Sequence, residues 1–298
     1  AGSAAVNVYR SAGIKDTDGT PLFHLPGFAP ACTPRLYAGN SACPCVTDWD
    51  GDGVLDIVEG NEDGFLLWFK NYGTDENPVF KKAEAVTDGS APICIKPGYY
   101  NVGGPAMAAA GYLGQTVCDW NSDGIPDIVF SSIEGKVEVM CGRRTADGTV
   151  ILGGRHALMH LGMELYSAPR VRPAARNIGG TVYIVIADAD DAAHMYMKSG
   201  NYNVTDRGKL RLDDGKFIYN HITDYAHKSL WGRVRYAFAD WDGDGDQDLL
   251  VGTAADSSIP SCEYGTPYRR SRASLGVVWL ENTGTDAQPS YAYPRQFV

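Results

Sequence analysis

Three stretches of this chain place acidic side chains at alternate positions. The first runs Asp48-Trp49-Asp50-Gly51-Asp52-Gly53-Val54-Leu55-Asp56, the second Asp119-Trp120-Asn121-Ser122-Asp123-Gly124-Ile125-Pro126-Asp127, and the third Asp240-Trp241-Asp242-Gly243-Asp244-Gly245-Asp246-Gln247-Asp248. Glycines between the acids permit a tight loop that turns carboxylate oxygens inward. Oxygen donors at this spacing suit calcium, which takes about six to eight oxygens at roughly 2.3–2.6 Å in flexible geometry. Asp48, Asp50, Asp52 and Asp56 with the Val54 carbonyl form one ligand set, and Asp119, Asn121, Asp123 and Asp127 with the Ile125 carbonyl a second. Asp240, Asp242, Asp244 and Asp248 with the Asp246 carbonyl form the third. Without a cation, carboxylates so crowded repel one another. The expected role is structural, with two or three calcium ions each tying one strand exit to the next. An EF-hand is disfavoured, because apolar strand-like runs flank the loops and no Glu stands at the twelfth position.

These loops belong to a repeat. The starts at 48, 119 and 240 are joined by a degenerate copy at Asp188-Ala189-Asp190-Asp191, giving steps of 71, 69 and 52 residues. A second element follows: Leu66-Leu67-Trp68-Phe69-Lys70-Asn71-Tyr72-Gly73-Thr74 has its twin in Val277-Val278-Trp279-Leu280-Glu281-Asn282-Thr283-Gly284-Thr285. The last copy carries a 19-residue insertion between loop and twin. Each repeat reads as about four short strands: one entering the loop, one leaving it near Leu55–Glu59, a third near Phe65–Lys70 that ends in Asn-x-Gly turn chemistry, and a fourth. Such a unit cannot bury both faces alone and must stack on like units, which predicts an all-β fold, a β-propeller of four-stranded blades.

Composition agrees. The 298 residues form one propeller domain by this reading, with blades near 1–30 (partial), 31–95, 96–165, 166–225 and 226–298. Val6–Arg10 with Pro21–Phe23 reads as the third and fourth strands of an incomplete first blade. That makes about four and a half blades, so the sequence reads as part of a larger ring, such as a seven-bladed one completed by a missing segment or a second chain, or as a small five-bladed ring. The 36 acidic against 26 basic residues give a net charge of −10, which disfavours nucleic acid as a partner. No apolar run approaches the ~20 residues of a membrane helix. Seven cysteines, Cys32, Cys43, Cys45, Cys94, Cys118, Cys141 and Cys262, lack zinc-site spacing, and the alternatives are disulfides in a secreted, extracellular or periplasmic protein and scattered buried thiols.

A ligand face is expected on the loops at one end of the blades. Arg35, Tyr37, Tyr100, Arg172, His227, Trp231, Arg233 and Arg235 precede the loop-entering strands, and Tyr268 and Arg269 lie in the insertion. Arginine forks bind carboxylates in bidentate fashion, and aromatic rings give sugar rings an apolar platform. The partner that suits both is an acidic polysaccharide or cell-surface glycan. Among the histidines, His227 is the candidate general acid or base, and His194 reads as a packed side chain. No Gly-x-Ser-x-Gly elbow, His-Glu-x-x-His or phosphate loop is present.

With its three acidic loops and the strands around them, the chain resembles the FG-GAP/VCBS family of calcium-loop propellers. The resemblance implies structural calcium. It also implies one of two activities. The first is β-elimination on a uronate polymer, as in propeller lyases of the rhamnogalacturonan, ulvan or rhamnose–glucuronate type. There Arg172, Arg233 and Arg235 would neutralise the uronate and His227 or Tyr100 would remove the C5 proton. The second is a non-catalytic adhesion, glycan-binding or assembly module.

Overall fold

The computed structural model describes residues 7–8, 11–15, 21–23, 27–28, 36, 38–39, 41–96, 110–219, 231, 233–253 and 276–296. The described residues form strands and turns without a helix, and none of their segments is a helix long and apolar enough to cross a membrane. Two compact units divide the chain: residues 1–134 with 138–156, and residues 135–137 with 157–298.

The first unit opens with four short strands, β1 (Asn7–Val8), β2 (Ser11–Lys15), β3 (Pro21–Phe23) and β4 (Gly27–Phe28). They nest, β2 on β3 and β1 on β4, with Asn7 opposite Phe28. This corrects the expected pairing of Val6–Arg10 with Pro21–Phe23. β2 takes β3 as its partner, and the Asp18-Gly19 pair between them is a hairpin signal that favours this local closure. Next come β5 (Cys43–Thr47), β6 (Asp56–Gly60), β7 (Leu66–Phe69) and β8 (Glu84–Ala85), an antiparallel meander in sequence order. A second meander contains β9 (Gly114–Cys118), β10 (Asp127–Ser131), β11 (Val137–Met140) and, beyond the hairpin β12 (Gly142–Arg144) and β13 (Val150–Leu152), its outer strand β14 (His156–Ala157).

The second unit holds the hairpin β15 (Met159–His160) and β16 (Met163–Glu164) and two further meanders. These are β17 (Ala174–Ile178), β18 (Thr181–Ala187), β19 (Ala193–Lys198), β20 (Val204–Lys209), and β21 (Arg235–Ala239), β22 (Asp248–Gly252), β23 (Val277–Leu280), β24 (Arg295–Gln296). Four four-stranded antiparallel meanders are the blades of a β-propeller, and the chain is an all-β propeller of about four blades.

Second strands are covered on both faces. Every residue of β6 and of β10 is buried, so their apolar residues, Ile57-Val58 and Ile128-Val129-Phe130, stand consecutively rather than in alternation. In the first unit Trp49, Val58, Leu66, Leu113, Ile128, Phe130 and Leu152 form a shared core. In the second, Val171, Val185, Trp231, Tyr236, Val251, Val278 and Tyr291 form another. Backbones approach closely where Gly111 meets Gly64: a Cβ on Gly111 would lie 2.1 Å from the Ile95 carbonyl oxygen.

Disulfides do not join Cys43, Cys45, Cys94 or Cys118, while Cys32 and Cys262 lie outside the described residues. Cys43 and Cys45 sit two apart on one strand, roughly 6.6 Å between Cα atoms, at the outer limit of disulfide geometry. Gly111→Ala should cost about 1–3 kcal/mol in urea unfolding, because the new methyl meets rigid backbone. Gly154→Ala, where a Cβ meets nothing within 4 Å, should be near neutral; equal costs would show that Gly111 is not a packing constraint.

Candidate functional site

All three full acidic loops connect the first strand of a blade to its second: residues 48–55 between β5 and β6, 119–126 between β9 and β10, and 240–247 between β21 and β22. The opening aspartate curls each loop by accepting backbone N–H groups. Asp48 accepts from Gly51 at 2.8 Å, Asp52 at 3.1 Å and Gly53 at 3.0 Å. Asp119 accepts from Asp123 at 3.1 Å and Gly124 at 3.0 Å, and Asp240 from Gly243 at 2.8 Å. The curl needs left-handed backbone, at φ +78° for Gly51 and +79° for Gly243. Ser122, at φ 64°, takes that conformation where the other loops have glycine.

The closing aspartate does different work. Asp56, Asp127 and Asp248 are buried at 0%, 0% and 1% exposure. Asp56 accepts the Asn71 N–H at 2.7 Å on one oxygen, and the Trp49 N–H at 3.3 Å and Trp68 Nε1–H at 2.9 Å on the other. Asp127 accepts the Gly142 N–H at 2.6 Å and the Trp120 N–H at 2.7 Å. Asp248 repeats the pattern with the Asn282 N–H at 2.7 Å and the Trp241 N–H at 3.0 Å. Each carboxylate therefore ties the start of the loop, the second strand and the exit of the third. Burial pushes Asp56 and Asp248 up from the usual carboxylate range and Asp127 up to about 6, against these hydrogen bonds.

Carboxylate oxygens converge as a cation site requires. One oxygen each from Asp48, Asp50 and Asp56 lies within 4.8 Å of the others, and the same holds for Asp240, Asp242 and Asp244. Charge differs between the loops. Lys70, which spacing alone did not single out, hydrogen-bonds Asp50 and reaches Asp52 at 2.7 Å, and this ammonium holds Asp52 below its usual range. In the third loop, burial and then Asp244, Asp248, Asp286 and Asp242 push Asp246 up to about 6. Asp75 and Asp286 also escaped the sequence reading; they accept the N–H of Leu55 and of Gln247, each at 2.8 Å. Their signal was the matched Gly-Thr-Asp that closes both twins.

The degenerate copy is not a fourth loop of this kind. Asp188 lies between β18 and β19, the second and third strands of its blade, so it stands at the opposite end of the sheet from a first-to-second connection. That connection is the short Gly179-Gly180 turn. Around Asp188 the chain supplies its own partners for the carboxylates. His194 Nδ1 lies 3.0 Å from Asp188 and Nε2 2.7 Å from Asp206, while Lys209 reaches Asp190 at 2.5 Å and Asp188 at 3.4 Å. The His194 ring stacks on Tyr196 at 4.8 Å. His194 is packed, as expected, but its neighbours on the ring nitrogens are two carboxylates.

Of the predicted ligand-face residues, the structure brings together Arg172 and Arg235. They are opposite one another in a parallel bridge, with the Arg172 N–H on the Val234 carbonyl at 3.2 Å and the Tyr236 N–H on the Arg172 carbonyl at 3.1 Å. Both are half-buried, and Arg233 is exposed on the same approach to β21. Trp231 is a correction: at 4% exposure it packs into the second unit's core, where its large apolar surface is worth more than on a sugar platform. Arg35, Tyr37, Tyr100, His227, Tyr268 and Arg269 lie outside the described residues.

No family model matches the chain, and no curated protein matches it either. Among solved structures, it is similar to a lectin of Aleuria aurantia in complex with alpha-methyl-L-fucoside, at 11% identity over 98% of this chain and 73% of that one, with a TM-score of 0.48. A structure of the same fungal lectin, described as a six-bladed β-propeller, matches at 10% identity over the same shares, with a TM-score of 0.47. AofleA from Arthrobotrys oligospora matches at 8% identity over 94% of this chain and 65% of that one, with a TM-score of 0.43. The propeller assignment rests on the four meanders themselves.

The His194 cluster predicts a pH dependence. Burial works to raise Asp188 and Asp206, but the His194 hydrogen bonds help hold both below the usual range. Their contribution is therefore present above the unfolded carboxylate value of about 3.9 and is lost as pH falls through the lower folded values. The stability difference between the native chain and His194→Gln should shrink as pH is lowered from about 5 through that range. A difference that stays constant in acid urea titrations would show that the carboxylates do not supply it.

Proposed function

We propose that this chain is a calcium-binding, secreted propeller module that binds an acidic glycan. The observation that carries the glycan reading is the backbone bridge that sets Arg172, just ahead of β17, opposite Arg235 of β21, with exposed Arg233 beside it, in a chain of net charge −10. Two arginines set opposite one another suit a carboxylate-bearing sugar. The lectin neighbours agree with a glycan partner only at the level of what such folds can do.

Support for calcium comes from the loops. Their donors are all oxygen, in two of them three carboxylates converge, and Asp246 Oδ1 is buried without a hydrogen-bond partner. Asp48, Asp50, Asp52, Asp56 and the Val54 carbonyl would hold one ion, Asp119, Asn121, Asp123, Asp127 and the Ile125 carbonyl a second, and Asp240, Asp242, Asp244, Asp248 and the Asp246 carbonyl a third. The ions would offset the repulsion that raises Asp246. This is the metal chemistry implied by the FG-GAP/VCBS resemblance.

The β-elimination reading is the second one. It has Arg172, Arg233 and Arg235 to neutralise a uronate, but its proton acceptors, His227 and Tyr100, lie outside the described residues, so the arginines support binding first.

Chelation should lower the melting temperature. A site filled at ~100 times its Kd contributes about 2.7 kcal/mol, or roughly 4 °C for a chain of this size; an unchanged melting temperature in excess chelator would sink the calcium assignment. The paired variant Arg172→Ala/Arg235→Ala should weaken binding to polygalacturonate at least about tenfold with unchanged circular dichroism, while Arg143→Ala should not. Equal binding by all three proteins would remove the arginine pair from the ligand site. Ultraviolet absorbance from an unsaturated product in the same mixture would move the assignment to a lyase.

A further inference from the structure

The three acidic loops share one backbone device, and this makes their flanking residues comparable. The N–H that reaches the closing aspartate comes from Asn71 in the first loop, Gly142 in the second and Asn282 in the third, at 2.7, 2.6 and 2.7 Å. The residue just before that N–H occupies the same place in each blade: Lys70, Cys141 and Glu281. That place holds an ammonium in one blade, a thiol in another and a carboxylate in the third.

The Lys70 ammonium is not a loose surface charge. It bonds Asp50 and lies 2.7 Å from Asp52, both of the first loop, and its side chain is 25% exposed. Asp50 also belongs to the group whose oxygens converge with those of Asp48 and Asp56. A divalent ion entering there must compete with a positive charge already bonded to two of its ligands. The third loop has the opposite balance: Asp246 replaces the apolar Val54 and Ile125 of the other loops, and Glu281 stands where Lys70 does. Glu281 is itself held by Arg295 at 3.2 Å.

We propose that Lys70 is a built-in counter-ion of the first loop, which keeps that loop closed without metal and makes it weaker for calcium than the third loop, which fills before it. The proposal rests on the calcium reading above, and it assigns to Lys70 a part in setting which loop binds. A cation of the protein's own stabilises the crowded carboxylates at any calcium level, and it costs affinity because the ion and the ammonium exclude one another.

Calorimetric titration of the decalcified full chain with calcium tests this, on the native protein, Lys70→Met, Lys70→Arg and Lys70→Met/Asp50→Asn. Lys70→Met should tighten one class of site, weaker in the native protein than the tightest class, by about tenfold or more. Lys70→Arg should remain near the native isotherm, and adding Asp50→Asn should abolish the gain. In excess chelator Lys70→Met should melt below the native chain and recover more on calcium addition than the native chain does. Superimposable isotherms for the native protein and Lys70→Met would overturn the proposal, as would a chelator-sensitive loss of stability that calcium does not repair, since Lys70 would then be an ordinary ion pair. Absence of calcium heat from every protein, native included, would instead overturn the metal reading and this inference with it.

Discussion

A buried aspartate that accepts backbone N–H groups from two directions is the constraint on which the blades depend. Asp56, Asp127 and Asp248 each open a second strand, and each receives one N–H from the start of the acidic loop and one from the second residue past the third strand. A carboxylate has lone pairs enough for both. Replacing it with an apolar group would leave buried N–H donors unpaired, which costs far more than the net gain of an ordinary hydrogen bond. The same group must stay close to the other loop carboxylates, so the element that closes the blade also concentrates negative charge at its end.

The chain answers that charge in more than one way. In the first loop the answer is Lys70 on Asp50 and Asp52. In the third blade, which has a short glycine turn in place of an acidic loop, Lys209 neutralises and His194 hydrogen-bonds a separate group of carboxylates at the other end of the sheet. The loop at 240–248 has five aspartates, and burial together with mutual repulsion raises Asp246 among them. Repetition of a backbone plan therefore does not mean repetition of its electrostatics. Substitutions at one flanking position are enough to make related loops unlike.

The arginine strip lies in a different part of the same plan. First strands β17 and β21 are linked in parallel through Arg172 and Arg235, so residues from two successive blades share one strip. Each arginine closes an Arg-Val-Arg triplet, Arg170-Val171-Arg172 and Arg233-Val234-Arg235, but the pairing itself is made only by the bridge between them. Trp231, close to them in sequence, turns into the core instead, and this separates the packing role of the segment from its charged edge.

Much of this was legible in the amino-acid sequence. The alternation of aspartates with glycines, the repeated Asn-x-Gly turns and the strand-forming runs such as Asp56–Gly60 specify local geometry, and local geometry is what neighbouring residues decide; blade type and strand order within each blade follow from it. What the sequence could not decide is what depends on approach from afar. The degenerate Asp188 copy matched by residue type but belongs to another connection, because its blade is entered by a strand of different register in the repeat. Lys70, His194 and Asp206 gained their roles only when strands 12 to 20 residues apart were laid side by side, since an ion pair is fixed by distance in space and leaves no spacing rule in the chain.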